Sequence, residues 1–170
     1  MKTFTPEDYS TLMHTINIPM IISGTVFEIT NHALYYSILL VPYMNGPNDP
    51  QFVAVRLYKN DPDMLKEYIN YYDWIKFIEP YYTLELEVKR VYDSYHDNTH
   101  IRFVKVWSTS TRSSIPVQYC PVHDSFNFLM DKDSPLQCCA EPHKPIITYT
   151  PILTRNEYLA NRKEDSNEDI

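Results

Sequence analysis

The chain has 170 residues, a formal net charge of −7, 44% hydrophobic residues, 15 tyrosines, 7 phenylalanines, 2 tryptophans, 13 prolines and 2 glycines. Its apolar fraction is that of a folded chain rather than a disordered one, and its length suits one domain with an appendage. Two glycines cannot build a G-x-G-x-x-G or P-loop cradle, and the acidic balance argues against coating nucleic acid by bulk charge.

Residues 1–19 are a mixed lead-in, without the apolar segment that opens a secretory signal. From Met20 to Ile29, Ile22, Gly24 and Val26 alternate with Ile21, Thr25, Phe27 and Ile29, which predicts a strand with a bend or bulge at Gly24. Leu34 to Val41 is a second strand, stopped by Pro42 and the turn-rich NGPNDP at 45–50. Its apolar run, Ile38 to Val41, falls far short of the about 20 residues that span a membrane, so no membrane partner is expected. Phe52 to Tyr58 sets Val53, Val55 and Leu57 on one face against Phe52, Ala54, Arg56 and Tyr58 on the other. The period then changes. Asp61-Pro62-Asp63 reads as a helix start, and Met64, Leu65, Tyr68, Ile69 and Tyr72 recur at helical spacing as far as the boundary at Pro80. Thr83 to Tyr92 sets Leu84, Leu86 and Val88 against Glu85, Glu87 and Lys89. The polar stretch from Asp93 to Thr99 leads into Ile101 to Trp107, a long hairpin with a wide loop.

Residues 109–154 hold six prolines and all three cysteines, and read as an irregular extension or docking arm with an apolar patch at Ile146, Ile147, Tyr149, Ile152 and Leu153. Residues 155–170 form a charged tail too polar to order itself. The acidity sits mainly outside the strands: the net charge is −3 over 1–50, −1 over 51–106, −1 over 107–154 and −2 over 155–170.

The order β-β-β-α-β-β over residues 20–108 is that of the OB-fold, a five-stranded Greek-key barrel, although other five-stranded α+β folds share it. ISGTVFEI at 22–29, followed by YYSILLV, resembles the opening of the OB domain in the middle subunit of replication protein A and its counterpart in the CST telomere complex. Small single-OB chains of this kind also resemble the Drosophila terminin telomere-capping components. The acidic turn that the family carries after its second strand is replaced here by PYMNGPNDP, and no winged-helix region follows. The resemblance implies a mainly β, non-enzymatic subunit of a nuclear complex at chromosome ends or on single-stranded DNA.

Single-strand binding combines aromatic platforms with cations that track the backbone. The outward positions Phe52, Arg56, Tyr58, Lys89, Tyr92, Arg102, Lys105 and Trp107, with Arg90 beside them, supply both; an ordinary solvated sheet face is the alternative. Tyr68, Tyr71, Tyr72, Trp74 and Tyr81 crowd the helix and its exit, and read either as a surface for partner subunits or as closure of the barrel core. Cys120, His123, Cys138 and His143 have paired spacing compatible with zinc, against reduced thiols and surface histidines. Neither Cys120 with His123 nor the loop cluster Asp93, His96, Asp97 and His100 assembles a credible catalytic set, so no enzyme is expected. The competing expectation is a pure protein–protein interaction module, viral proteins included, that binds no nucleic acid.

Overall fold

A computed structural model describes residues 3–61, 71–120, 125–130 and 146–148. The elements in chain order are α1 (Pro6–His14), β1 (Met20–Asn31), β2 (Tyr35–Val41), β3 (Met44–Gly46), β4 (Asp49–Pro50), β5 (Val53–Tyr58), α2 (Tyr71–Phe77), β6 (Thr83–Asp93), β7 (Asn98–Ser110), β8 (Val117–Cys120), β9 (Ser125–Phe128) and β10 (Ile146–Thr148). The protein is mainly β. The helix start at residues 62–69 and the tail at 155–170 lie outside the described residues.

Five strands close into a barrel in the order β1-β2-β5-β7-β6, with β6 pairing back onto β1. Every neighbouring pair is antiparallel except β5 and β7, which run parallel through Val55↔Ile101 and Arg56↔Arg102. The period-two pattern produces this directly. Val53, Val55 and Leu57 point inward, as do Leu84, Leu86 and Val88, and they meet Ile22, Val26, Ile38, Leu40, Ile101 and Phe103 in one core. α2 adds Ile75, and Ile78 follows it into the same core.

Gly24 and the first-strand bulge are separate features. The bulge falls between Val26 and Glu28, whereas Gly24 marks a close backbone approach. A Cβ there would lie 3.2 Å from Leu40 Cβ and 3.3 Å from the backbone of Val41 and Pro42. The expected wide loop is also narrower than its composition suggests. Asp93 pairs with Asn98, leaving four residues in the turn. The Asp93 carboxylate accepts from the amides of Tyr95 at 3.0 Å and His96 at 3.3 Å, and Asp97 takes a φ of 50°. Asp side chains that satisfy local amides and tolerate positive φ make such turns short.

The lead-in and the extension both hold regular structure that periodicity did not signal. Thr5 caps α1 reciprocally: its Oγ1 accepts from the Asp8 amide at 3.2 Å while Asp8 Oδ2 accepts from the Thr5 amide at 3.0 Å, with Pro6 in the first turn. Leu12 alone of the helix is fully buried, and Phe4 joins it in the core from outside the helix. Leu12 and the partly buried Tyr9 and Met13 form an apolar face of a single turn, too short for periodicity to register. The extension read as irregular forms a three-stranded sheet in the order β10-β8-β9. Its apolar centre is Ile115, Val117 and Phe128 against Val41, whose side chain faces out of the barrel. A hydroxyl network fastens the connection: Thr25 Oγ1 and Ser114 Oγ lie 2.7 Å apart, Ser114 N–H donates to Thr25 Oγ1 at 3.2 Å, and Thr83 Oγ1 donates to the Arg112 carbonyl at 2.5 Å. Both faces of β1 are therefore covered from Ile22 to Val26, and the buried run there is unbroken rather than alternating.

Replacing Leu12 with Ala is expected to cost about 2–5 kcal/mol in urea unfolding, as for a fully buried leucine, a loss that a loosely attached lead-in would not give. Gly24→Ala, crowded against backbone rather than a flexible side-chain end, is expected to cost about 1–3 kcal/mol in the same assay.

Candidate nucleic-acid interface

Closing the barrel aligns three cations across three strands. Arg56 of β5 is opposite Arg102 of β7, and Arg102 is opposite Lys89 of β6. Neighbouring strands are about 4.8 Å apart, so the three cationic stems rise from a line about 10 Å long. All three side chains are partly exposed on the outer face.

Aromatic rings lie beside this row. Tyr35 of β2 is opposite Tyr58 of β5, with ring centroids 5.2 Å apart. The chain of rings continues from Tyr35 to His32 at 4.7 Å and from Tyr58 to His100 at 5.5 Å. The Arg56 guanidinium sits 4.6 Å from the Tyr35 centroid and the Arg102 guanidinium 5.0 Å from that of Tyr58. Arg56 Nη1 also donates to Tyr58 Oη at 3.3 Å. Such planar cations stacked on rings present further flat surfaces on which a base can stack. At one end, Lys59 Nζ donates to Asn31 Oδ1 at 2.5 Å and to the His32 carbonyl at 2.6 Å, over the ring of Tyr36, and so pins the β1–β2 turn.

Two groups moderate the crowding of positive charge. Asp61 Oδ2 meets Arg102 Nη2 at 2.5 Å. His100 is held below its ordinary pKa of 6.5, first by burial and then by repulsion from Arg56 and Arg102, against a smaller opposing pull from Asp93.

The other expected interface residues are placed elsewhere. Lys105 lies 5.2 Å above the half-exposed Trp107 ring farther along β7, where the register shifts twice. Tyr92, at the hairpin end, donates to Asp97. Phe52 meets Phe27 edge-on at 5.2 Å, and Phe27 reaches Phe128 of the C-terminal sheet at 6.0 Å. Of the eight, only Arg56, Tyr58, Lys89 and Arg102 come together. Tyr35, His32 and His100 complete the strip, and of these only His100 is singled out in the sequence, as part of the polar cluster after Asp93 rather than as an interface residue. Tyr35 was legible, because Ile38 and Leu40 set the inward phase of β2 and so turn Tyr35 outward. His100 was not, because a polar turn accounts equally well for a histidine at that point.

Among the residues expected to bind partners, Trp74 is half-buried, with its ring 5.9 Å from Phe103 and its indole N–H donating to Thr109 Oγ1 at 3.2 Å. Tyr81 holds a φ of 76° and sits against Phe126 at 5.1 Å and Phe128 at 5.5 Å. Its amide donates to the Val26 carbonyl at 2.7 Å, which pins the unusual backbone. These two rings serve internal packing. Tyr71 and Tyr72 belong to α2, and Tyr68 lies outside the described residues. Cys120 is fully buried at the end of β8, whereas His123, Cys138 and His143 lie outside the described residues. Among the described residues, no group of His, Cys, Asp and Glu side chains is arranged to hold a metal ion.

Comparison of the chain with protein-family models, with curated proteins and with solved structures finds no match.

A depressed His100 has a measurable consequence. The unfolded chain takes up this proton at 6.5, before the folded one does, so the contribution of His100 to stability is present above that pH and is lost as the pH falls below it. NMR titration is expected to show the imidazole protonating below 6.5, and His100→Gln is expected to flatten the fall of the urea midpoint in that range.

Proposed function

We propose that the barrel is an OB-fold that binds single-stranded DNA through the strip formed by Tyr35, Arg56, Tyr58, Arg102 and Lys89, as one subunit of a nuclear complex acting at chromosome ends or on exposed single strands. The strand path supports the OB assignment. Counting only barrel strands, the order is first, second, third, fifth, fourth, with the third and fifth parallel and a helix between the third and fourth.

The observation that carries the binding reading is the registered row of three cations flanked by paired tyrosines. Each element of that row has a function on a single strand. The cations neutralise phosphates, and the tyrosine faces with their overlying guanidiniums accept unpaired bases, a geometry that tolerates any sequence because every base has a π-face. The net charge of −7 fits a subunit that works within an assembly, since bulk attraction contributes little and the affinity must come from this local row.

Fluorescence anisotropy with a labelled single strand over a salt series tests the proposal. Three phosphate contacts give a slope of log affinity against log salt of about −2. Arg56→Ala or Arg102→Ala is expected to weaken binding about tenfold and to make the slope shallower by about 0.7. Asp61→Asn, which removes the carboxylate on Arg102, is expected to strengthen it. Absence of binding at low salt would sink the proposal and leave the interaction-module reading in its place.

A further inference from the structure

A cavity of about 280 Å³ opens at the seam between β5 and β7, and Met13 of α1 reaches its lining. Met13, Ala54 and Ile101 form its apolar part, and Arg56, Arg90 and His100 supply its polar groups. Among the described residues, no carboxylate lines it. Arg90 is opposite the buried Ile101 in the β6–β7 ladder, so its stem is directed toward the end of the barrel rather than along the outer strip. Its Nε donates to Thr99 Oγ1 at 3.1 Å, and neither Arg90 nor Arg56 has a carboxylate partner among the described residues. Both ring nitrogens of His100 are sealed from solvent without a hydrogen-bond partner among the described residues.

We infer that this cavity is a phosphate-monoester site, in which Arg56 and Arg90 neutralise a dianion and His100 donates to it. Two guanidiniums match a charge of −2, and neither is already neutralised by a carboxylate of the described chain. Orphaned buried imidazole nitrogens cost stability, and an anion reached by a turn of the ring supplies the partner they lack. The groups facing the ring are Arg56 from β5, Arg102 from β7, Asp93 from β6 and the Tyr58 ring. Burial and the two guanidiniums hold the His100 pKa below its ordinary value when the cavity is empty, and the negative charge of an entering dianion raises it again, so that the imidazole takes up a proton from solvent as the phosphate binds. The size of the cavity and its apolar side suit a phosphate attached to an organic group. The inference rests on the single-strand reading in one respect: because Arg56 belongs to both features, the monoester is either the terminal phosphate of a strand lying on the strip or that of a free mononucleotide.

The test uses the full chain and four probes: inorganic phosphate, adenosine monophosphate, and one oligonucleotide phosphorylated at its 5′ or its 3′ end, each compared with the unphosphorylated strand. If the source is a strand terminus, one phosphorylated end binds about tenfold more tightly than the unphosphorylated strand, as one charge-assisted hydrogen bond sustains. Arg90→Gln erases that ratio, and Arg90→Lys retains part of it. If the source is a free nucleotide, adenosine monophosphate or inorganic phosphate shifts the His100 imidazole resonances at saturable concentration, and Arg90→Gln abolishes the shift. Circular dichroism of the variants separates loss of the site from loss of the fold. Strands that bind equally with and without a terminal phosphate, together with no response of His100 to phosphate or the mononucleotide, overturn the cavity proposal and leave the strip standing. A mononucleotide response without binding of any strand keeps the cavity and removes the strip.

Discussion

The structure depends on a parallel seam of two rungs. Val55↔Ile101 and Arg56↔Arg102 are the pairs that close the barrel between β5 and β7. The first rung turns inward, and both of its side chains enter the core. The second therefore turns outward and sets two guanidinium stems side by side. In water two unit charges about 4 Å apart repel by about 1 kcal/mol, and by several times more where water is excluded. The neighbouring residues answer that repulsion. Tyr35 and Tyr58 offer ring faces to the two cations, Asp61 pairs with one of them, and burial together with the two cations holds the His100 pKa below its ordinary value. A seam that closes the core thus concentrates positive potential on an acidic protein.

The remaining structure decides which part of the barrel stays open. β2 carries Tyr35 at one end and Val41 at the other, roughly 20 Å apart at the rise of a strand. At the Val41 end the C-terminal sheet covers the outer surface through Ile115, Val117 and Phe128, and the Thr25, Thr83 and Ser114 hydroxyls secure the connection. At the Tyr35 end, the rings and cations of the strip occupy the outer face. α1 reaches the core with Leu12 and leaves Met13 at the mouth of the cavity beside Arg90 and His100. Covering and exposure are thus divided along β2 among the described residues.

Much of the barrel was legible in the chain. Val53, Val55 and Leu57 alternate with Ala54, Arg56 and Tyr58 because one face meets the core and the other meets solvent, and that same phase identified Arg56 and Tyr58 as outward. The method failed where two faces are covered. Around Thr25 the linker at 111–115 packs on the outer side of β1, so burial there follows no simple period. It failed again for α1, which buries a single helical side chain, although Thr5-Pro6-Glu7-Asp8 was a complete helix-start signal. In the extension, short strands separated by prolines carry too few residues for a period to register.

Residue order alone determined the five barrel strands, the inward phase of most of them and the chemical types on their outer faces, because these depend on residues one and two positions apart. It could not decide which outer faces become neighbours. Arg56, Lys89 and Arg102 stand on three strands, Tyr35 comes from a fourth, and His100 is close to Arg102 in the chain but far from Arg56 and Tyr58. Their assembly follows from the strand order and from the parallel register between β5 and β7. That register is set by the fit of many inward side chains into one closed core, a collective constraint that no local window of sequence contains. The tertiary structure alone therefore gathered four of the eight expected residues into a strip, set Trp107 and Phe52 elsewhere, and drew Arg90 and His100 into a shared cavity.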